Sequence, residues 1–272
     1  MKLKEKLQQL RADKKAILAV NFYNFETLHG ILKAASILNE PVILQVSEST
    51  IRYMGLKMAV SIARTGLADS GVEGWLHLDH GNTVEMASRC LDAGFDSVMI
   101  DASEKHFDEN VEITSSVVEL ASRYDANVEA ELGYVAKLGQ SQQEIKFTQP
   151  ESARHFARLT GIDALAVAIG TAHGFYKSAP VLQFELLQRI SEATPVALVL
   201  HGSSGIPEED LRRAVKAGIS KINLATESKN IFMKTLKTEL QKTDEIDLRK
   251  VFPVAIDAVS SLIEAKMRAI RV

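Results

Sequence analysis

The stretch WLHLDHGNTVEMASRCLDAGFDSVMID, residues 75–101, carries one complete structural unit. WLHLD (75–79) and SVMID (97–101) are short apolar runs of strand length, and NTVEMASRCLDAG (82–94) between them has helical spacing and a glycine stop at Gly94. Two strands joined by a helix run parallel, because a parallel pair needs a crossover of about a dozen residues or more. The same unit also places Asp79 between His77 and His80 at the end of a strand. An unpartnered buried polar group costs a few kcal/mol, so these side chains need partners or a role.

Working outward, the unit repeats. Further strand-like runs are ILAVNF (17–22), PVILQVS (41–47), NVEAEL (127–132), DALAVAI (163–169), PVALVL (195–200) and ISKINL (219–224). Helical spacing is found in FETLHGILKAASIL, residues 50–69, residues 108–124, PESARHFARLTG, LQFELLQRISEA and PEEDLRRAVKAG. Gly161 and Gly218 also stop helices, and Pro207 opens one with acids in its first turn. Eight strands alternating with helices, with no linker or low-complexity stretch, predict a single α/β domain over residues 1–272, a (β/α)8 TIM barrel. A doubly wound open sheet is the competing architecture, but eight units fill the length without remainder. Helices over 227–241 and 254–270 are expected to follow the last strand and close the ring.

Bulk properties narrow the function. Of the 272 residues 46% are hydrophobic and 25% charged, with a formal net charge of −3, too near neutral to argue for nucleic-acid or membrane-surface binding. No run approaches the roughly 20 apolar residues of a membrane span. The opening MKLKEKLQQLRADKK is charged and lacks the apolar core of a signal peptide. Cys90 is the sole cysteine, which excludes an internal disulfide and fits a reducing compartment. A cytoplasmic protein is expected.

In a TIM barrel, chemistry gathers where the strands end at their C-terminal face. The third strand ends in Asp79-His80, the fourth in Asp101, the fifth in Glu131 and the seventh in His201-Gly202. The sixth runs into GTAHGFYK with His173, and the eighth ends in Asn223 with Thr226 beyond; Asn21 and Ser47 end the first two. Polar caps explain one or two such residues but not a full ring. His80, His173 and His201 come from separate strands and would face one mouth. Three imidazoles with a vacant fourth position is the arrangement of a catalytic zinc ion. His29, His106 and His155 fall on predicted helices or their approaches, while His77 shares strand parity with Asp79 and could support the site from inside the barrel. HGSSGIP (201–207) and NLAT (223–226) follow the last two strands, where barrels often hold phosphate on backbone N–H groups and a helix N-terminus. Gly202 and Gly205 allow close approach, and Ser203, Ser204 and Thr226 add hydroxyls. A phosphorylated small molecule facing a metal ion follows.

HLDHG, VEAELG, AVAIGTAHG, LVLHGSSGIP and KINLATE resemble, in order and spacing, the class II metal-dependent aldolases of fructose- and tagatose-bisphosphate. The resemblance implies that His80, His173 and His201 bind catalytic zinc and that Asp79 is the acid/base. It implies a second cation, divalent or monovalent, or an alternative zinc position, at Asp101 and Glu131. Gly174, Gly202, Ser203, Ser204, Asn223, Leu224, Ala225 and Thr226 match positions that hold a substrate phosphate; Asn21 and Ser47 match substrate contacts. A small phosphorylated sugar as partner, with no nucleic acid or membrane, and a homodimer or homotetramer are implied as well.

One segment departs from that pattern. Relatives follow ELG with a glycine-rich acidic stretch resembling GGxED; here the chain reads YVAKLGQSQQEIKFTQP, whose sole carboxylate is Glu144. A different phosphorylated substrate, such as a deoxy-ketoacid phosphate or a modified sugar phosphate, or a silent sugar-phosphate binding protein, therefore stays open. Glu129 and Lys221 share parity with Glu131 and Asn223 and are expected to form a buried pair, with a Schiff-base role for Lys221 as the rival reading. Lys177 is expected to shape the loop after His173. Cys90 is expected to be an inert core thiol.

Overall fold

The computed structural model describes residues 1–133, 147–176 and 180–271. In chain order the elements are α1 (Leu3–Ala12), β1 (Ile17–Asn21), α2 (Phe25–Leu38), β2 (Val42–Ser47), α3 (Glu48–Met54), α4 (Leu56–Ser70) and β3 (Gly74–Gly81). Next come α5 (Val84–Asp92), β4 (Ser97–Ile100), α6 (Phe107–Ser122), β5 (Asn127–Leu132), α7 (Pro150–Thr160), β6 (Ala164–Val167) and α8 (Phe184–Ala193). The chain ends with β7 (Ala197–Leu200), α9 (Glu208–Lys216), β8 (Ile219–Leu224), α10 (Thr226–Leu240), α11 (Leu248–Val251) and α12 (Pro253–Ala269). The eight strands pair in sequence order, all parallel, and β1 returns to β8 to close the barrel. The TIM barrel expected from the alternation is the fold observed.

Strand residues are buried on both faces, which is why the runs read as nearly continuous apolar segments. One parity, with Leu18, Val20, Leu44, Leu76 and Leu198, packs under the helices. The other faces inward: Ile17, Ala19, Ile43, Trp75, Met99, Ala164, Ala166, Ala197 and Val199 form a separate apolar cluster with Leu3, Leu7 and Leu10 of α1. The charged opening of the chain thus holds a helix whose leucine stripe plugs the N-terminal end of the barrel; Trp75 Nε1 donates to the Met1 carbonyl at 3.1 Å and secures it.

Two differences from the sequence reading have local causes. The helix expected over 50–69 is split into α3 and α4 by Gly55, whose φ of 87° a helix cannot contain. The barrel interior is also more polar than an apolar strand core implies. Gln45, His77, Ser97, Asn127, Glu129 and Lys221, all at most 1% exposed, sit inside it. They bond to one another, through Asn127 Nδ2 to Ser97 Oγ at 2.9 Å, a 2.7 Å contact of Ser97 Oγ with His77 Nδ1, and Lys221 Nζ to Glu129 Oε2 at 2.7 Å, while Gln45 Oε1, His77 Nε2 and Asn127 Oδ1 have no hydrogen-bond partner among the described residues. Polar residues therefore fill the middle of the barrel as well as ending its strands.

Candidate active site

β3 delivers two neighbouring side chains to one place, which a regular strand cannot do because successive residues point to opposite faces. The register against β4 slips between Leu78 and Gly81, and His80 takes a left-handed conformation with φ of 50°. A bulge of this kind re-aims a side chain. Asp79 keeps the inward parity set by its pairing with Ser47, and His80 turns to join it at the mouth.

His80, Glu131, His173 and His201 each offer one ligand atom, and these atoms lie within 4.8 Å of one another; among the described residues this is the cluster able to hold a metal ion. The ring centroids are 4.8 Å apart for His80–His201, 4.9 Å for His80–His173 and 5.7 Å for His173–His201. Around a tetrahedral zinc with bonds of about 2.0–2.2 Å the donors stand about 3.3–3.6 Å apart, so this donor set closes on a common ion when its members draw together by about an ångström. Three nitrogens and a carboxylate are the donors zinc takes.

Two of the rings have a carboxylate behind them, the arrangement that fixes metal-ligand tautomers. Asp101 Oδ2 lies 2.7 Å from His80 Nδ1, and Glu129 Oε1 lies 2.9 Å from His201 Nε2. The remaining nitrogens, His80 Nε2 and His201 Nδ1, face each other at 3.0 Å. Charge follows from this geometry. Burial opposes the imidazolium of His80, but Asp79, Asp101 and Glu131 outweigh it and raise its pKa to about 9. Burial, aided by the neighbouring rings, lowers His173 to about 3 and also lowers His201. Burial would raise Asp79, but His80, His201 and the Asn21 hydrogen bond hold it below the usual carboxylate range.

Asp79 is 7% exposed and braced from both sides: Asn21 Nδ2 donates to Oδ2 at 2.8 Å and Asn223 Nδ2 to Oδ1 at 3.4 Å. Gln45 Nε2 in turn donates to Asn21 Oδ1 at 3.0 Å. Asp79 is thus an ionised, oriented carboxylate whose Oδ1 stands 3.9 Å from His80 Nε2.

The cleft around this centre has a volume of about 330 Å³ including its open mouth. Asn21, Asp79, His80, His173 and His201 line its floor, and Gly174, Gly202, Ser203, Ser204, Asn223, Ala225 and Thr226 its other wall. Gly202, at φ 68°, brings its backbone so close to the loop after β6 that a Cβ there would lie 2.5 Å from the Ala172 carbonyl oxygen. α10 starts at Thr226, so its N-terminus opens at this wall. An anion seated here would meet a helix dipole and the hydroxyls of Ser204 and Thr226, while Ser203 Oγ already donates to the Asn223 carbonyl.

Other candidates lie elsewhere. Asp101 is not among the four clustered residues and instead holds His80 from behind. Leu224 is fully buried in the apolar layer under the helices. Ser47 caps α3 by accepting from the Thr50 amide at 3.4 Å, and its Oγ lies 2.8 Å from that of Ser49. His77 does not reach the cluster; its Nε2 is 3.8 Å from Glu129 Oε2. His155 stacks on Phe107 and His29 packs edge-on against Phe25. Lys221, buried and paired with Glu129, is not among the residues that line the cleft, which removes the ground for a Schiff-base role. Burial pushes the Cys90 thiol up to about 12. Glu144 and Lys177 lie outside the described residues.

Two contributors escaped the sequence reading. Tyr176 Oη donates to the Gly202 carbonyl at 2.8 Å and accepts from the Ala172 amide at 2.7 Å, tying the His173 loop to the His201 loop. Tyr23, whose ionisation is suppressed by burial and by the charge of Asp79, lies near that carboxylate. Phenols have no sequence signature for such ties; only the aromatic in GTAHGFYK hinted at one.

The family model for fructose-bisphosphate aldolase class-II matches residues 1–272. A fructose-bisphosphate aldolase of Geobacillus stearothermophilus is 41% identical over 98% of this chain and 95% of its own. The D-tagatose-1,6-bisphosphate aldolase subunit GatY of Klebsiella oxytoca is 44% identical over 82% of this chain and 80% of its own. Among solved structures, the YdjI aldolase of Escherichia coli K12 superposes with a TM-score of 0.89 at 31% identity, covering 98% of this chain and 96% of that one. No described helix is long and apolar enough to cross a membrane.

Proposed function

Because the chain belongs to the class II fructose-bisphosphate aldolase family, a zinc-dependent family of lyases acting on phosphorylated sugars, we propose that its cleft cleaves a ketose 1,6-bisphosphate of the fructose or tagatose type. The products are dihydroxyacetone phosphate and an aldehyde phosphate, and the reaction runs in both directions. The observation that carries this reading is the gathering of His80, His173, His201 and Glu131 within 4.8 Å beside the braced Asp79.

His80, His173 and His201 would hold zinc, with Glu131 as a fourth or alternative ligand. Zinc bound there supplies Lewis acidity that stabilises negative charge on the carbonyl-side fragment. Asp79 takes the proton from the hydroxyl at the breaking bond and returns it to the aldehyde in condensation. Asn21 and Asn223 keep its carboxylate aimed at that hydroxyl. Gly174, Gly202–Ser204 and Ala225–Thr226 would hold one phosphate at the α10 N-terminus, while Asn21 faces the sugar from the cleft floor and Ser47, at the α3 cap outside the lining, would contact substrate only by turning toward it. Asp101 supports the site from behind His80. We place the enzyme in the cytoplasm as a homodimer or homotetramer.

A coupled assay for triose phosphate tests the reading. Cleavage of one of the two bisphosphates, abolished by a chelator and restored by zinc, is expected; activity untouched by thorough chelation would reject it. A second reading, another phosphorylated substrate, is favoured by YVAKLGQSQQEIKFTQP standing where relatives carry an acidic stretch. Deoxy-ketoacid phosphates belong in the same panel. Binding without turnover of any of them would mark a silent binding protein.

A further inference from the structure

Glu129 and Lys221 take no part in the chemistry above, yet the fold places both charges in the centre of the barrel at 0% exposure. Burying an ion pair is costly, and apolar residues of similar volume often serve stability as well or better. Packing alone therefore gives no reason for the pair.

Its geometry does. The two oxygens of Glu129 have separate partners: Oε2 accepts from Lys221 Nζ at 2.7 Å, and Oε1 lies 2.9 Å from His201 Nε2. Asn223 Nδ2 lies 3.1 Å from the same ring nitrogen. The two neighbours make opposite demands, since the amide donor needs a bare Nε2 and the carboxylate needs Nε2–H. A charge-assisted bond is the stronger of the two, and Lys221 anchors the carboxylate so that it prevails. His77 adds no hydrogen bond to this carboxylate: its Nδ1 is paired with Ser97 Oγ at 2.7 Å, and its Nε2 stands 3.8 Å from Glu129 Oε2. With its proton on Nε2, His201 presents a bare Nδ1 to His80, His173 and Glu131.

We propose that Glu129, anchored by Lys221, is a positioning residue that sets the tautomer and pose of His201 for metal binding. This rests on the reading of the cluster as a metal site. The pair acts through a ring nitrogen that faces away from the cluster, and Lys221 acts on an ion it does not touch.

The test uses two variants of the full chain that leave no single charge buried. Glu129→Leu/Lys221→Met removes the acceptor, and Glu129→Gln/Lys221→Met restores a neutral one. Zinc affinity is measured by competition with a chromophoric chelator, and the His201 proton is located by nitrogen-15 NMR of the metal-free protein labelled at histidine. The leucine variant is expected to bind zinc about 10- to 100-fold more weakly and to lose the Nε2 proton, and the glutamine variant to recover part of both. Wild-type affinity and an unmoved proton in a folded leucine variant would overturn the proposal. Should that variant fail to fold, wild-type zinc affinity in the glutamine variant would overturn it, and a several-fold loss would support it. If the wild type binds no zinc, the metal-site reading fails on its own, and the NMR arm still decides whether Glu129 sets the ring.

Discussion

Asp79 and His80 are adjacent in the chain but have opposite electrostatic tasks, and that contrast yields two expectations. Asp79→Asn keeps the shape of the side chain but has one acceptor oxygen in place of two, so it keeps only one of the contacts from Asn21 Nδ2 and Asn223 Nδ2, and it cannot carry a proton. Turnover should fall by about 10²- to 10⁴-fold, the usual contribution of a positioned acid/base, with zinc affinity changed only a few-fold. Loss of zinc in step with turnover would instead make Asp79 a ligand. His80 has a pKa raised to about 9 by Asp79, Asp101 and Glu131 against the effect of burial, so below that pH a metal must displace a proton from it. His173 and His201, lowered by burial, are already neutral. Zinc affinity should therefore rise about tenfold per pH unit, one proton per ion, and flatten above pH 9. Calorimetry in buffers of different ionisation enthalpy counts that proton directly, and a count of zero between pH 7 and 8 would contradict the charge assignment. Strand parity in the sequence was enough to put Asp79 at the mouth. It could not show that His80 turns to the same side, because that depends on a left-handed residue in a bulge, a conformation histidine seldom takes.

Among the elements, α1 shows how a pattern can be present and still be passed over. Leu3, Leu7 and Leu10 are spaced as a helical stripe amid dense charge, in a stretch whose sequence shows by itself only the lack of a signal peptide's apolar core. Only the closed barrel creates an apolar opening for that stripe to cover. Leu7, fully buried, lies at the end of the barrel opposite the site. Leu7→Ala should cost about 2–5 kcal/mol of stability, the range for emptying a packed leucine site, while turnover at low temperature stays unchanged. A melt recorded beside the coupled assay separates the two. The loops after β6 and β7 should behave in the reverse way. Gly202→Ala pushes a methyl toward the Ala172 carbonyl and leaves the residue at φ 68°, so the tie through Tyr176 and the phosphate wall must shift. KM should rise at least about tenfold for loss of one charge-assisted contact, with a smaller effect on the melting temperature than Leu7→Ala. An unchanged KM would remove this loop from the phosphate site.

At the scale of the whole molecule the barrel is layered along its axis: an apolar base closed by α1, a polar middle around Glu129 and Lys221, and the cluster at the mouth. The layers were unequally legible. Eight alternating units fixed the architecture, since each short strand had to pair in order within the length available. Strand-end residues located the mouth. The middle layer was not legible as a network, because Glu129 reaches His201 across 72 positions and Lys221 across 92, and parity tells which way a side chain points without telling what it meets. The cluster draws on the third, fifth, sixth and seventh strands or the loops that follow them, so an ion held there would cross-link half the ring. Such an ion binds the folded chain and not the unfolded one, so zinc should stabilise the protein by mass action. At 100 times its dissociation constant the gain is about 2.7 kcal/mol. For a chain of this size that amounts to a melting-temperature rise of roughly 5–10 °C. The rise should follow the logarithm of free zinc, reverse with chelator and vanish in His173→Ala. That last variant is the decisive one: His173 stands in the loop after β6, half-buried and edge-on to His80 and His201, so its loss should lower the metal-free melt far less than Leu7→Ala does. A zinc-dependent rise that persisted without His173 would place the stabilising ion elsewhere and break the link between the cluster and the chemistry.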